Sequence, residues 1–195
     1  MPIGRDELGV DVLDAAVRLL GCSVEADTPE GTVAVRLVEV EAYRGADDPA
    51  SHSFRGRTAR NAVMFGPPGH LYVYFVYGMH YCANLVTGPE GDPGAVLLRA
   101  GEVVDGIDVA RERRPSSSDR DLARGPARLC RVLGIDLSDN GTGPDLRPGE
   151  EPAQISTGPR VGLRLAADRP WRFWVTGDPT VSTYRPAAPR RSAGR

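Results

Sequence analysis

The stretch HLYVYFVYGMHYCANLV, residues 70–86, carries four of the six tyrosines in the chain. HLYVYFVY predicts a strand, YGMH a turn around Gly78, and YCANLVT a return strand, so the stretch reads as a β-hairpin. Successive strand residues face opposite ways, so Tyr72 and Tyr74 share one face while Val73 and Phe75 share the other. An ordinary buried strand would use Val, Ile and Leu. Tyrosine brings instead a broad flat face and a polar tip that needs a partner when buried. The tyrosine face therefore predicts core, a stacking surface for flat ligands, or both. Packing is the simpler reading for Tyr72. Tyr77 is expected at the hairpin tip, where there is no core to fill.

The neighbours of the hairpin extend the same architecture. TVAVRLVEVEAY, residues 32–43, alternates like a strand, and GAVLLRAGEVV, residues 94–104, reads as another. RVGLRL (160–165) and WRFWVTG (171–177) are expected as late strands. Helices are expected over residues 6–21, in GIDVARERR (106–114) and in GPARLCRVLGI (125–135), the last with proline near its start. Residues 44–61 and 138–157 read as loops, and PAAPRRSAGR (186–195) as a disordered tail. There is no internal repeat and no linker. The expectation is an α+β fold: a single domain over residues 1–185 with a mostly antiparallel β-sheet, a protruding β-hairpin and helices at its margins.

Composition narrows the chemistry. A chain of 195 residues, 41% hydrophobic and 26% charged, suits a globular domain with a sizeable core. No apolar run approaches the roughly 20 residues of a membrane span. The first residues, MPIGRDELGVDVLDAAVRLLG, carry acids through their apolar part and do not read as a secretory signal. Cys22, Cys82 and Cys130 are odd in number and form no C-x-x-C pair, and His52, His70 and His80 lack ligand spacing. A monomer in a reducing cytoplasm, with no metal and no cofactor, is expected. All 24 basic residues are arginine. With no lysine, no lysine Schiff base can form.

Three places in the chain can carry chemistry. On the first long strand Val33, Val35, Leu37, Glu39, Glu41 and Tyr43 are expected on one face. Two carboxylates at the end of an apolar face are costly unless paired or used. They are either salt-bridged to arginines, or one is a general base beside an aromatic ring. Arg99, inside the apolar run AVLLRA, needs a carboxylate partner such as Glu41 or Glu39. The pair is a structural ion pair, or a guanidinium and a carboxylate holding one water. Asn84 in the return strand demands partners and can discriminate hydrogen-bond patterns. The loop SFRGRTARN gathers Arg55, Arg57 and Arg60. Alone it is a solvated loop; beside a tip tyrosine it suits phosphate contacts.

The segments VEVEAYRGADDPASHSFRGRTARNAVMFGPPGHLYVYFVYGMHYCANLV and GAVLLRAGE, with weaker echoes in GPARLCRVLGI, GPRVGL and RFWVTGDPTVS, resemble the alkyladenine (3-methyladenine) DNA glycosylase family. The resemblance spans roughly residues 8–184. It implies a monofunctional DNA glycosylase of base excision repair, acting on double-stranded DNA with damaged purines. Glu41 would match the base that activates water, with Arg99 as its partner and the Val175 carbonyl as a further water ligand. Tyr43, His52 and Tyr74 would sandwich a flipped base, and Asn84 would lie against the purine edge. Tyr77 would be the wedge left in the duplex. One departure stands out: Ala59 occupies the place of a proline common in R-T-P-R-N.

Two other readings compete. A glycosylase that also cuts the strand needs an amine nucleophile, and without lysine the only candidate is Pro2. A non-catalytic binder of single-stranded nucleic acid would keep the tyrosines and arginines without requiring Glu41 or Arg99.

Overall fold

The computed structural model describes residues 3–76 and 78–188. The expected wedge Tyr77, the candidate nucleophile Pro2 and the end of the tail, 189–195, lie outside the described residues. Eight strands form one antiparallel sheet: β1 Ser23–Thr28, β2 Gly31–Tyr43, β3 Leu71–Val76, β4 His80–Thr87, β5 Gly94–Asp105, β6 Asp145–Arg147, β7 Ile155–Gly158 and β8 Arg172–Val175. The main path runs β3-β4-β5-β2-β1-β6, with β8 pairing the end of β2 and β7 pairing β8. The helices are α1 Arg5–Leu8, α2 Val12–Leu19, α3 Ile107–Arg113 and α4 Pro126–Leu133. The architecture is α+β, as the patterning predicted. No helix among the described residues is long and apolar enough to cross a membrane.

The hairpin forms as read. Tyr72 pairs Asn84 and Tyr74 pairs Cys82, and Gly78 supplies the left-handed turn at φ 68°. The tip and its approach stay open to solvent, with Met79 67% and Phe75 43% exposed.

Alternation sorts four strands into two faces. Val73 of β3, Ala83 and Leu85 of β4, Val96 and Leu98 of β5, and Val40 and Ala42 of β2 all enter the main core. Val12, Ala15, Ala16 and Leu19 of α2 join the same core, as do Leu129, Cys130, Val132 and Leu133 of α4. The intervening residues point the other way. Registers align Tyr72, Asn84, Leu97 and Glu41 as one row across β3, β4, β5 and β2.

Several expectations are corrected. The single face predicted for Val33, Val35, Leu37, Glu39, Glu41 and Tyr43 is broken. The β2–β5 register shifts on both sides of Glu39. Val33, Val35 and Leu37 lie in the core, but so do Val40 and Ala42. The irregularity thus moves the carboxylates off the core face. An alternation rule cannot see such a bulge.

The helix predicted over 6–21 is two helices. Asp11 caps α2 through Leu13 N at 2.9 Å, and the Leu8 carbonyl accepts Gly88 N instead of continuing a helix. The edge strands β6 and β7 bury little, and they and β1, which lies between β2 and β6, arise in stretches too polar to read. RVGLRL forms turns rather than a strand: Gly162 has φ 71°, and the Val161 amide bonds a side chain instead of a ladder carbonyl.

Gly101 sits opposite Leu37, beside the irregularity. A Cβ there would meet the Arg36 carbonyl oxygen and a Val35 methyl, each at 2.4 Å. Gly101→Ala is expected to lower stability by about 1–3 kcal/mol through overpacking. Urea unfolding at neutral pH measures it, and an unchanged midpoint would show that β5 can shift away freely.

Candidate active site

The face opposite the main core carries a cavity of about 400 Å³, lined by Glu41, Tyr43, His52, Tyr72, Tyr74, Cys82, Asn84, Leu97, Arg99 and Val161 among others. Its walls come from β2, β3, β4 and β5 and from two loops, so neither the hairpin nor the long strand forms it alone.

Glu41 is fully buried at the end of β2. Its Oε1 accepts the Val161 backbone N–H at 2.7 Å, and its Oε2 accepts the Tyr43 hydroxyl at 2.9 Å. Arg99 Nε lies 3.6 Å from Glu41 and 2.9 Å from Glu39. Of the two partners proposed for Arg99, the structure supplies both, with Glu39 the nearer. Glu39 also accepts Arg172 Nη1 at 3.0 Å, and the backbone N–H and hydroxyl of Ser182 at 2.7 and 3.0 Å. Burial pushes the Glu41 carboxyl above its ordinary range. The charge of Arg99 and the donors from Val161 and Tyr43 pull downward without cancelling that push, and the charge of Glu39 adds to it.

The aromatic walls differ from a simple sandwich. Tyr72 and Tyr74 are stacked at 5.6 Å between centroids, and His52 meets Tyr74 edge-on at 4.6 Å. His52 Nδ1 is 3.1 Å from the Tyr72 hydroxyl. Tyr72 is thus a pocket wall as well as a packed side chain. Its partner His52 was the missing signal, because nothing in the sequence spacing joins them. Burial lowers the His52 pKa, and the charge of Arg60 lowers it further, so the ring is neutral at pH 7. Burial pushes the Tyr43 and Tyr74 hydroxyls up, so both stay protonated. Asn84 is buried, and its Nδ2 donates to the Tyr72 carbonyl at 3.4 Å.

Tyr43 is held from behind. Arg160, fully buried, lies 4.6 Å over its ring and 5.2 Å over that of Trp171. Its guanidinium grips the equally buried Asp48 in a two-pronged ion pair and donates to the Ala42 carbonyl at 2.9 Å. Burial pushes the Asp48 carboxyl up, but the bonds and charge of Arg160 outweigh it and hold it below the usual range. Arg160 thereby ties the start of the His52 loop to the end of β2 and sets its neighbour Val161 against Glu41. Sequence reading missed Arg160, Asp48 and Val161 because their partners lie more than 100 positions away.

Val175 is not brought to the cavity. It packs against the main core, and its carbonyl accepts Asp178 N at 3.3 Å. The valine whose backbone meets Glu41 is Val161. Arg55, Arg57 and Arg60 stand exposed on one loop, and none is in an ion pair among the described residues. Buried Asn61 organises that loop. Its Oδ1 accepts Thr58 N and Oγ1, and its Nδ2 donates to the His52 and Gly56 carbonyls. These bonds bracket Ala59.

The family described as Methylpurine-DNA glycosylase (MPG) matches residues 6–179. A protein of Streptomyces avermitilis, provisionally named a 3-methyladenine DNA glycosylase, is 52% identical over 97% of this chain and 95% of its own. One from Nocardia farcinica with the same provisional name is 56% identical, over 96% of this chain and 94% of its own. One from Mycobacterium leprae strain TN is 49% identical over 98% and 94%. The chain belongs to the methylpurine-DNA glycosylase family, and it is accordingly a DNA glycosylase, a hydrolase of N-glycosyl bonds in DNA repair.

Breaking a buried pair from one side leaves a charge without its partner. Asp48→Asn should therefore cost about 3–5 kcal/mol of stability. Urea denaturation at pH 7 reads this directly, and a loss below about 1 kcal/mol would mean that Arg160 reaches water or another acceptor.

Proposed function

We propose that the protein excises alkylated or deaminated purines from double-stranded DNA, with Glu41 as the base that activates water. The candidate lesions are 3-methyladenine, 7-methylguanine, hypoxanthine and ethenoadenine. The observation that carries the reading is one carboxylate, Glu41, buried at the floor of a tyrosine-walled cavity with Arg99 and the Val161 amide holding it.

The reaction follows from that floor. The target nucleotide leaves the duplex, which costs least for a damaged pair. Its flat base slides between Tyr43 on one side and the His52–Tyr74 pair on the other, because His52 and Tyr74 already touch. Aromatic faces favour a positively charged alkylpurine by cation–π attraction. Glu41 accepts a proton from water as the water oxygen bonds to the sugar C1′ and the N-glycosidic bond breaks. The transition state is oxocarbenium-like, as in glycoside hydrolysis. The purine leaves with the bonding electrons, neutral where alkylation had made it cationic and otherwise taking a proton from solvent, and the sugar remains as an abasic site. A raised Glu41 pKa suits this role, since a base works best with its pKa near the working pH. Tyr77 would fill the gap left in the duplex, and Arg55, Arg57 and Arg60 would meet phosphates. No step needs an amine nucleophile.

Glu41→Gln keeps the shape of the side chain and removes its basicity. It should preserve binding to lesion DNA and slow base release by about 10²–10⁴-fold. Single-turnover release of hypoxanthine checks this, and near wild-type release would return Glu41 to a structural role.

Asn84 lies in the same cross-strand row as Glu41, against the expected purine edge. Guanine differs from hypoxanthine by a 2-amino group, which the pocket rejects by contact or by leaving it unpaired, at about 1–3 kcal/mol. Asn84→Ser should begin releasing guanine from mismatches while still acting on hypoxanthine. Should guanine stay in place while hypoxanthine release drops, Asn84 positions the base and does not filter it.

A further inference from the structure

The segment Thr180–Arg185 lies against Arg99 and Glu39. The Val181 carbonyl accepts Arg124 Nε at 2.8 Å, the Arg185 carbonyl accepts Gly162 N at 2.9 Å, and the Tyr184 ring lies 5.3 Å from the Arg172 guanidinium. Between these anchors Ser182 reaches the fully buried Glu39 with two donors, its N–H to Oε2 and its hydroxyl to Oε1. The other two donors to Glu39 are Arg99 and Arg172.

We propose that the strap Thr180–Arg185 belongs to the active centre: through Ser182 it clamps Glu39, and Glu39 in turn sets how Arg99 is shared with Glu41. The inference rests on the reading of Glu41 as the base. Glu39 and Ser182 do not face the cavity; they are positioning residues.

The geometry makes the division of Arg99 adjustable. One Nε–H sits 2.9 Å from Glu39 and 3.6 Å from Glu41, both through their Oε1 atoms. A hydrogen bond to a buried carboxylate stabilises its charge. The two Ser182 donors satisfy Glu39, which therefore draws less on Arg99. If the hydroxyl is lost, Arg99 is pulled toward Glu39 and away from Glu41. If the Glu39 charge is lost, Arg99 turns wholly to Glu41. The other polar groups facing Glu41 are the Tyr43 hydroxyl on its own strand, Tyr74 on β3, Cys82 on β4, His52 on its loop and the Val161 amide. Arg160 stands behind Tyr43, and Arg172, opposite Glu41 in the β2–β8 ladder, donates its side chain to Glu39. None of these contacts Ser182 by hydrogen bond; Arg172 shares Glu39 Oε1 with the Ser182 hydroxyl and follows Glu39, while the others stay constant across the test.

Glu41 works as the carboxylate, so release falls as pH drops through its pKa. Ser182→Ala weakens the hold of Arg99 on Glu41 and should move that acid limb to higher pH, with single-turnover hypoxanthine release down about tenfold at neutral pH. Glu39→Gln removes a neighbouring negative charge and should move the limb to lower pH, with a weaker base. Ser182→Thr keeps the hydroxyl and should restore the wild-type limb. Affinity for duplex DNA containing an abasic-site analogue should stay within about twofold in all three. Melting temperatures report folding, and Glu41→Gln is measured alongside. If Glu41→Gln is inactive while Ser182→Ala and Glu39→Gln keep the wild-type rate and limb, the strap is only a structural closure and this inference fails alone. A fall in rate that tracks melting temperature with no movement of the limb also overturns it. If Glu41→Gln is active, the reading of the base fails first.

Discussion

Two carboxylates two positions apart on one strand, both removed from water, share a single arginine. That arrangement is the constraint on which the molecule is built. A lone buried carboxylate would cost several kcal/mol or take up a proton. Here Arg99 stands between Glu39 and Glu41, and Arg172 and Ser182 complete Glu39. The two acids consequently live in different environments. Glu39 is saturated with donors and acts as a charged anchor. Glu41 has fewer donors, and burial raises its proton affinity. Neighbouring carboxylates in different surroundings can take different chemical roles.

The supporting structure follows from getting those acids to the right face. The strands β3, β4 and β5 alternate regularly, which places aliphatic side chains in the core and Tyr72, Tyr74, Cys82, Asn84, Leu97 and Arg99 opposite. The irregularity around Glu39 lets β2 deliver Leu37 to the core and Glu41 to the cavity. The tyrosines of the hairpin then serve several ends. Tyr72 packs and holds His52, Tyr74 stacks on Tyr72, and Tyr81 covers Phe75 on the approach to the tip.

Buried arginine recurs wherever distant segments meet. Arg160 joins the His52 loop, the end of β2 and the turn carrying Val161. Arg172 joins Glu39 to the aromatic rings of Trp174 and Tyr184. A planar guanidinium can donate in its plane and stack on its faces at once, which an ammonium cannot. A chain without lysine has made that its means of crossing between segments.

Local chemistry in the sequence was enough to determine the hairpin, the long strands, α3 and α4, and the need of Arg99 for a carboxylate such as Glu41 or Glu39. Strand alternation and the cost of burying charge act over a few residues and can be read without coordinates. The motifs of the hairpin and of VEVEAY, being long, also carried the family. Tertiary structure alone decided the rest. It placed a bulge between Leu37 and Val40, broke the first helix at Gly9, turned Arg160 inward to Asp48 and set Val161, not Val175, against Glu41. It also brought Ser182 to Glu39 across 143 positions. Each depends on pairings between segments remote in the chain, where the winning partner is fixed by packing and desolvation in the assembled fold rather than by the residues on either side.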